Sequence, residues 1–308
     1  MTGAGGFVGS AVCSEMQRRG MAHVPAVRVG RNDRDCVVGE IGPETDWRDA
    51  LCGCDAVLHV AARVHHMNDT AADAMALYRS VNVEGTINLA RQAEAESVRR
   101  FVFVSSVKVN GEVSVGKPFS AGDVPAPADA YGISKWEAEQ RLLAMRQQSS
   151  MEITIVRPPL VYGPGVRANF LQLMKIVRLG LPLPLGAVDS SRSLIGIDNL
   201  VDFLIVCLLH PDAAEKTWMI SDQHDVRVPE LVRMIAAAMG KPARLLPVPL
   251  WLLTAGAGLV GKTPMMRRLT DPLLVDARPA TLELGWRPPV TMEAGIRRTV
   301  QHFLTGQA

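Results

Sequence analysis

The sequence has few aromatic residues, no long apolar run and no block of like charge. Phe, Trp and Tyr make up 5% of the 308 residues, and the net charge is +2, from 33 basic and 31 acidic side chains. This balance gives little support for nucleic-acid binding. The most apolar stretch, 250–261, is shorter than the ~20 residues that a membrane-spanning helix needs, so we expect a buried helix or a subunit contact there. The N-terminus lacks a basic region before a long apolar run, and we do not expect a signal peptide.

Cysteine is also scarce, and its placement excludes two kinds of site. The chain has an odd number of cysteines, which argues against a disulfide framework. Cys52 and Cys54 have no second pair of ligands at the spacing of a zinc site, so we expect no metal. The pair His65-His66 likewise has no evident partner and is interpreted as loop. Reduced thiols fit a cytoplasmic protein; the five are Cys13, Cys36, Cys52, Cys54 and Cys207.

Tyr131 and Lys135 are the most informative pair in the sequence. Their spacing is about one helical turn, so both side chains lie on the same face of a helix. A phenol near pKa 10 is a poor base at neutral pH, but a nearby ammonium stabilises the phenolate and lowers that pKa. The pair therefore predicts an acid/base group that takes a proton from an alcohol. The alternative, a tyrosine and a lysine with structural roles only, remains open on these two residues alone.

A glycine-rich turn at the N-terminus predicts a dinucleotide site. Gly3, Gly6 and Gly9 are spaced three residues apart, with Phe7 and Val8 between the last two, and a helical pattern running to Arg19 follows. We expect these glycines, Phe7 and Val8 to contact the cofactor. Glycines allow the backbone to approach a pyrophosphate, whose charge is favoured at the N-terminus of the following helix. A lone glycine motif is weak evidence, because turns and flexible tails also use glycine.

The choice between NAD and NADP depends on the residues just after the second strand, which is predicted to end near Val27. An acidic residue at that place would bind the ribose 2'-hydroxyl of NAD. This chain has Arg28 and Arg31 instead, and guanidinium groups suit a 2'-phosphate. We therefore expect NADP rather than NAD, with two solvated arginines in a surface loop as the alternative. If residues 36–38 form the third strand, Glu40 lies near the adenine.

Taken together, the motifs of the whole chain resemble the extended short-chain dehydrogenase/reductases of the NAD-dependent epimerase/dehydratase family. The resemblance implies an α/β fold, a doubly wound Rossmann sheet with a smaller C-terminal substrate-binding lobe. We expect an NAD(P)-binding domain at 1–158 and a nucleotide-sugar-binding lobe at 159–308 that interleaves with it. Besides the glycine turn and the Tyr131/Lys135 pair, the motifs that carry the resemblance are 59–62 (HVAA), 82–86 (NVEGT), 101–106 (FVFVSS), 157–165 (RPPLVYGPG) and 284–288 (LGWRP).

The start of the chain departs from this family. A Rossmann unit needs a first strand of ~5 residues before the glycine turn, whereas here the turn begins at Thr2. Met1 occupies the place where relatives have the valine of Val-Thr-Gly. We therefore expect that the first strand is truncated and that the natural start lies upstream.

The resemblance also implies roles for individual residues. Tyr131 is the catalytic acid/base, Lys135 binds the nicotinamide ribose and lowers the phenol pKa, and Ser106 contacts the substrate hydroxyl. Further cofactor contacts are Ala61, Ala62, Asn82 and Pro158. The substrate contacts are Lys108 and Asn110, which replaces the tyrosine of the family pattern, together with Asn169 and Arg192 for the diphosphate. Lys108 could equally be a solvated loop lysine, and Asn169 could be a helix cap.

The same resemblance narrows the reaction. Family members that eliminate water carry an Asp-Glu pair after the catalytic hydroxyl residue, whereas this chain has Val107 and Lys108. Redox chemistry at C4 of a UDP-sugar remains. Our first expectation is a UDP-4-keto-6-deoxy-N-acetylhexosamine 4-reductase of surface polysaccharide synthesis. The alternative is a UDP-glucose or UDP-N-acetylhexosamine 4-epimerase, and a third interpretation is an NADP-binding sensor without catalysis. We expect a homodimer formed through the helices that begin after Asn82 and Tyr131.

Overall fold

Strands rich in Val, Ile and Phe form the centre of the computed structural model, which describes residues 1–64, 71–259, 266 and 270–306. β3 (Ala56–His59), β4 (Arg100–Val104), β5 (Glu152–Arg157) and β8 (Thr217–Met219) pair in parallel in the order β3-β4-β5-β8. Every residue of β4 is buried. β-Branched and aromatic side chains suit a strand with both faces covered, as in a parallel sheet between helices.

Residues 1–2 join this sheet to a second pair of strands. β1 (Ala26–Val27) and β2 (Cys36–Val37) are parallel, and both match the strands predicted near Val27 and at 36–38. Thr2 bridges in parallel to Ala26 on one side and to His59 on the other. The two residues therefore lie between β1 and β3, at the position of the first strand of a Rossmann sheet.

Helices cover both faces of the sheet. On one face, α1 (Phe7–Arg18) and α7 (Ile197–Leu209) bury an apolar cluster that includes Val12, Phe203 and Trp218. On the other face, α4 (Gly85–Ala95) and α5 (Ala130–Arg146) pack against a second cluster that includes Phe101 and Leu142, with the one-turn α2 (Arg48–Leu51) beside it. This three-layer arrangement confirms the predicted α/β Rossmann fold.

α4 continues directly from α3 (Ala71–Arg79) through a π-helical turn, Ser80–Glu84. The turn contains the buried Asn82. Such turns are rare in proteins, and those that do occur are often found at functional sites. The helical run therefore carries its irregular turn where the sequence predicted a cofactor contact.

A smaller lobe is built from later parts of the chain. β6 (Leu160–Tyr162) pairs in parallel with β7 (Ser191–Gly196), and β7 pairs in antiparallel with β9 (Asp225–Arg227). α6 (Ala168–Leu179), α8 (Val228–Ala238) and α11 (Met292–Leu304) cover this sheet and share one apolar cluster. The lobe thus has a core of its own.

The two parts interleave along the sequence. α7 and β8 lie after the lobe has begun, yet both belong to the Rossmann layers. α10 (Arg278–Leu284) and the buried Trp286 return to the same core, where the Trp286 indole donates to Asp202 at 2.9 Å. The chain therefore crosses between the two sheets more than once.

The apolar stretch after residue 249 forms α9 (Leu250–Leu259). Leu253 is buried, but Trp251 is 68% exposed and Leu250 and Leu252 are 44% and 45% exposed. The expectation of a buried helix was therefore wrong for its first turn. Along the described part of the chain, no helix is long and apolar enough to cross a bilayer.

Candidate active site

The glycine turn leaves no room for side chains. Gly3 has a φ of +68°, and a Cβ built there would lie 2.8 Å from the amide nitrogen of Ala61. A Cβ on Gly9 would lie 2.0 Å from the carbonyl oxygen of Gly3, closer than any side chain allows. Gly6 is the N-cap residue of α1, and its amide donates to the same carbonyl at 2.9 Å. No side chain caps this helix. Such a turn at a helix N-terminus fits a pyrophosphate.

Arg28 and Arg31, which follow β1, both have partners within the protein. Arg28 pairs with Glu40 at 3.2 Å, and both side chains are mostly exposed. Arg31 pairs with Asp35, also at 3.2 Å, and its guanidinium lies 3.4 Å from a Cβ built at Gly5. Arg31 therefore lies beside the glycine turn. Arg28 and Glu40, predicted as separate cofactor contacts, form one exposed ion pair.

A buried chain of hydrogen bonds connects the glycine turn to α4, and sequence reasoning missed it. The Thr2 hydroxyl lies 2.7 Å from Nδ1 of His59, whose Nε2 lies 2.9 Å from the Thr86 hydroxyl. Thr86 in turn donates to the carbonyl of Asn82 at 2.8 Å, so its oxygen accepts from His59. His59 is thus neutral with its proton on Nε2, and burial, then Lys135, lowers its pKa well below the ordinary value. Only the motif 59–62 pointed to this histidine.

Asn82 connects the loop after β3 to α5, the helix that carries Tyr131. Its side-chain amide donates to the Arg63 carbonyl at 3.1 Å and to the Ser134 hydroxyl at 2.9 Å, and its oxygen accepts from the Arg63 amide at 2.8 Å. Ser134 donates to the carbonyl of Tyr131 at 2.8 Å. Asn82 was predicted as a cofactor contact; the structure gives it a positioning role beneath Tyr131.

The structure also distinguishes the two serines at the end of β4. Ser105 is buried, and its hydroxyl has no partner among the described residues. Ser106 is half-buried, accepts from the Lys108 amide at 3.2 Å, and lies near enough to Tyr131 that its hydroxyl lowers the pKa of that phenol. The amide next to it, of Val107, donates to the carbonyl of Pro158 at 3.0 Å, so the end of β5 holds this loop. Of the two, Ser106 has the geometry of a catalytic hydroxyl.

Tyr131 and Lys135 share a face of α5, but their pKa values move opposite to what the spacing suggested. Burial, followed by the negative charge of Asp129, raises the pKa of Tyr131, against the lowering effect of the Ser106 hydrogen bond. Burial lowers the pKa of Lys135 to about 7. The Lys135 ammonium donates to the carbonyl of Val104 at 2.8 Å and lies 4.4 Å from the ring centroid of Phe103. Desolvation dominates at both residues.

A chain of charges begins at the cap of the same helix. Asp129 is the N-cap of α5 and accepts from the amide of Gly132 at 2.7 Å. Its carboxylate also pairs closely with Lys108, which contacts Glu112 at 2.8 Å. Glu112 is close enough to Arg192 to raise its pKa against the larger lowering effect of burial. Lys108 is therefore a partly buried ion-pair residue between the start of α5 and the smaller lobe.

Asn110 makes structural contacts. It is buried, its amide donates to the Ser120 carbonyl at 2.8 Å, and its oxygen accepts from Arg157 at 3.0 Å. Arg157 also forms a buried ion pair with Glu139 of α5. The residue that replaces the family's tyrosine thus joins α5 to the end of β5, and the substrate contact proposed for it finds no support in this geometry.

The two diphosphate candidates lie on the smaller lobe. Asn169 is exposed in the first turn of α6, where Arg167 holds the N-cap position, so Asn169 is not the helix cap. Arg192, on β7, donates to the carbonyl of Asp271 at 2.9 Å.

His65 and His66 lie outside the described residues. All five cysteines are free thiols. Within the described ranges, no three His, Cys, Asp or Glu side chains are grouped as metal ligands.

The arrangement as a whole supports proton transfer beside a dinucleotide. Ser106 and Tyr131 meet at the carboxyl end of β4, and Lys135 lies one turn further along α5. The glycine turn opens at the same carboxyl edge of the parallel sheet, where α/β proteins bind their ligands. A hydroxyl pair and a buried amine at this edge can exchange a proton with an alcohol whose carbon reacts with the cofactor.

Comparisons with known proteins agree with this geometry. The model of the NAD dependent epimerase/dehydratase family matches residues 1–221. A UDP-glucose 4-epimerase of Vibrio cholerae is 46% identical over 310 residues, covering 99% of this chain and 94% of its own length. N-acetyl-alpha-D-glucosaminyl-diphospho-ditrans,octacis-undecaprenol 4-epimerase of Escherichia coli O157:H7 is 28% identical, covering 86% of this chain and 82% of its own.

Solved structures share the fold. MoeE5 in complex with UDP-glucose and NAD superposes with a TM-score of 0.78 at 24% identity, covering 100% of this chain and 98% of its own. UDP-glucuronic acid 4-epimerase from Bacillus cereus in complex with NAD gives a TM-score of 0.79 at 21% identity, with the same coverage. The resemblance expected from the motifs is confirmed. The chain belongs to the NAD-dependent epimerase/dehydratase family of enzymes.

Proposed function

We propose that this protein is an NAD-dependent 4-epimerase of a UDP-hexose, UDP-glucose or UDP-N-acetylhexosamine. The observation that carries the proposal is the grouping of Ser106, after β4, with Tyr131 and Lys135 of α5 at the sheet edge where the glycine turn opens. The 46% identity to the Vibrio cholerae UDP-glucose 4-epimerase over nearly the whole chain supports this substrate class. It favours the epimerase over the 4-reductase that we expected first.

In this mechanism Tyr131 takes the proton of the C4 hydroxyl and later returns it. Ser106 donates to the same sugar oxygen as charge develops there, which stabilises the transition state. NAD held at the glycine turn would supply the acceptor, and then the donor, of the hydride at C4. Inversion at C4 requires that the sugar present its opposite face before the proton and the hydride return.

The residues of the turn fit the cofactor. A Cβ at Gly3 or Gly9 would collide with neighbouring backbone, so only glycine lets the turn close this tightly, and α1 begins without a side-chain cap. Burial lowers the pKa of Lys135 to about 7, so this amine can change its charge near neutral pH on the same face of α5 as Tyr131. Asn169 and Arg192 are proposed to hold the substrate diphosphate from the smaller lobe, with Lys108 at the sugar side.

The second candidate is the NADP-dependent UDP-4-keto-6-deoxy-N-acetylhexosamine 4-reductase. The observation that favours it is Arg31, whose guanidinium lies beside the glycine turn where a 2'-phosphate could bind. Against NADP, Arg28 is paired with Glu40, whose carboxylate would repel a 2'-phosphate. A sensor without catalysis is disfavoured because Ser106, Tyr131 and Lys135 are all present. We place the enzyme in the cytoplasm as a homodimer formed through α4 and α5.

The test is to identify the cofactor that copurifies and to assay both reactions. An epimerase retains NAD and interconverts UDP-glucose with UDP-galactose, or the corresponding N-acetylhexosamines, without net cofactor consumption. A reductase instead consumes NADPH with a UDP-4-keto-6-deoxy sugar. Tyr131→Phe should lower kcat by a factor of 10² to 10⁴, on the order of general acid/base contributions.

Tyr78→Phe is the matched control, because the Tyr78 ring lies 6.5 Å from that of Tyr131 and has no proposed role in catalysis. It should retain most of the activity. Unchanged turnover in Tyr131→Phe would overturn the assignment of the catalytic residue, and failure to turn over any UDP-hexose would overturn the substrate class.

A further inference from the structure

Two segments of the smaller lobe contain basic residues but no acidic ones. Residues 158–188 and 231–259 together carry six Lys or Arg and no Asp or Glu, although the whole chain has 33 basic and 31 acidic residues. The rest of the chain is therefore acidic overall. The charge asymmetry is local, and it falls where α6, α8 and α9 lie.

Hydrogen bonds hold the two segments side by side. The amide of Leu183 donates to the carbonyl of Arg244 at 2.7 Å, and the amide of Leu246 donates back to Leu183 at 2.8 Å. The Lys241 ammonium donates to the carbonyl of Arg178, at the end of α6, at 2.6 Å. The segments therefore present a continuous surface.

Large apolar side chains are exposed on this surface. α9 is anchored by Leu253, which packs with Leu185 and Val228, and so its first turn points other apolar residues outward. The exposed fractions range from 44% for Leu250 to 68% for Trp251. Clusters of this kind on a monomer usually mark a contact site. The exposed apolar residues are Leu179, Leu181, Leu246, Leu250, Trp251 and Leu252.

Exposed basic side chains lie in the same two segments as these apolar residues. The four that are nearest to them in sequence are Lys175, Arg178, Lys241 and Arg244. Arg178 also lies 4.9 Å from the ring centroid of Phe303, which holds it at the end of α6. The acid that directly follows the first segment, Asp189, is paired with Arg227 at 3.1 Å. We call these exposed apolar and basic residues the apolar-basic face.

We propose that the apolar-basic face binds the surface of an anionic lipid bilayer. Trp and Leu side chains enter the boundary between headgroups and acyl chains, while Lys and Arg beside them attract anionic headgroups. The absence of acids in both segments removes the repulsion that a negative surface would otherwise meet. A second copy of this chain would present the same positive charge to itself, which disfavours it as the occupant. The binding is peripheral and leaves the C4 chemistry unchanged.

The test is flotation of the full-length protein with vesicles of phosphatidylcholine, alone or with about one quarter phosphatidylglycerol. We expect binding to the anionic vesicles only, and loss of binding as salt rises, because screening weakens the charge contribution. Lys241→Glu with Arg244→Glu should reduce partitioning at least tenfold, since each basic residue contributes roughly fivefold. Trp251→Ala should reduce it by roughly tenfold through lost apolar burial.

Matched controls use equally exposed residues elsewhere. Leu282 is 81% exposed on α10, and Arg48 has a side chain 75% exposed in the Rossmann part, so Leu282→Ala and Arg48→Glu should bind vesicles like the wild type. Each face variant should keep its turnover of soluble substrate, which shows that it is folded. The proposal is overturned by equal binding to neutral vesicles, or by unchanged binding in the face variants. It is also overturned by absence of binding together with a Trp251-dependent dimer in light scattering.

Discussion

The ion pair between Lys108 and Asp129 allows the acidity of Tyr131 to be changed in both directions. Asp129 raises the pKa of Tyr131, and Lys108 is the cation that offsets its charge. Asp129→Asn removes the charge but keeps the N-cap, because asparagine caps helices as well as aspartate does. Lys108→Met leaves the charge of Asp129 less compensated. The two substitutions should therefore shift the pKa of Tyr131 down and up, respectively.

The size of the shift depends on the setting of the pair. The side chains of Lys108 and Asp129 are 23% and 25% exposed, so the dielectric is nearer to that of a protein surface than of a dry interior. At an effective dielectric of about 20, one unit charge ~10 Å from the phenol is worth about 1.7 kcal/mol, which corresponds to roughly 1.2 pH units, and a closer charge is worth more. Both variants keep the Tyr131 side chain, so each should change the pKa of the phenol without removing the phenol.

The assay is the pH dependence of kcat/KM for the UDP-hexose that the protein converts. When Tyr131 acts as the base, the rate rises with pH as the phenol ionises, and the midpoint of that rise should move down in Asp129→Asn and up in Lys108→Met. The matched control is Lys117→Met, which breaks the Lys117–Asp123 pair at 2.8 Å and should leave the profile in place. Shifts of the same sign in both variants, or none in either, would refute the reasoning.

Three further predictions concern stability and cofactor binding. Gly9→Ala places a Cβ 2.0 Å from a backbone carbonyl and should weaken NAD binding more than tenfold in a fluorescence titration, whereas Gly122→Ala, with no described atom within 4 Å of its Cβ, should bind like the wild type. Thr86→Val leaves the Nε2 proton of His59 without an acceptor and should cost about 1–3 kcal/mol in urea unfolding; an unchanged midpoint would contradict the buried network. Burial lowers the pKa of Lys135 to about 7 from 10.5, so the unfolded chain binds more protons between these values and the stability of the wild type rises with pH in that window. Lys135→Met should be inactive and more stable than the wild type near pH 7. Its free energy of unfolding should also change less with pH than that of the wild type.

Local patterns in the sequence predicted the parts of this structure that depend on neighbouring residues. The glycine spacing, the run of β-branched and aromatic residues in β4 and the one-turn spacing of Tyr131 and Lys135 each reflect a short stretch of backbone. The α/β fold could be predicted, and was confirmed, because these stretches occur along the chain in the order that this fold requires. The choice of Ser106 over Ser105 came from the spacing of the family pattern, which is also local.

Other features depend on the groups that pack around a residue and could not be predicted in this way. Desolvation controls the pKa of Lys135, and the spacing of the pair says nothing about burial. The hydrogen bond between Thr2 and His59 joins residues 57 positions apart. The apolar composition of α9 suggested burial, but composition alone does not show whether another element covers the first turn, which holds Trp251.

The π-helical turn Ser80–Glu84 makes the helical run through α3 and α4 sensitive to its length in residues. A straight α-helix turns ~100° per residue, so a residue deleted between Asn82 and Thr86 would change the direction of one of these two side chains relative to the other. Asn82 could then face the Tyr131 helix only if Thr86 turned away from His59, or the reverse. The turn therefore fixes the number of residues between α3 and α4, and this segment should tolerate substitutions on its exposed side but no change of length.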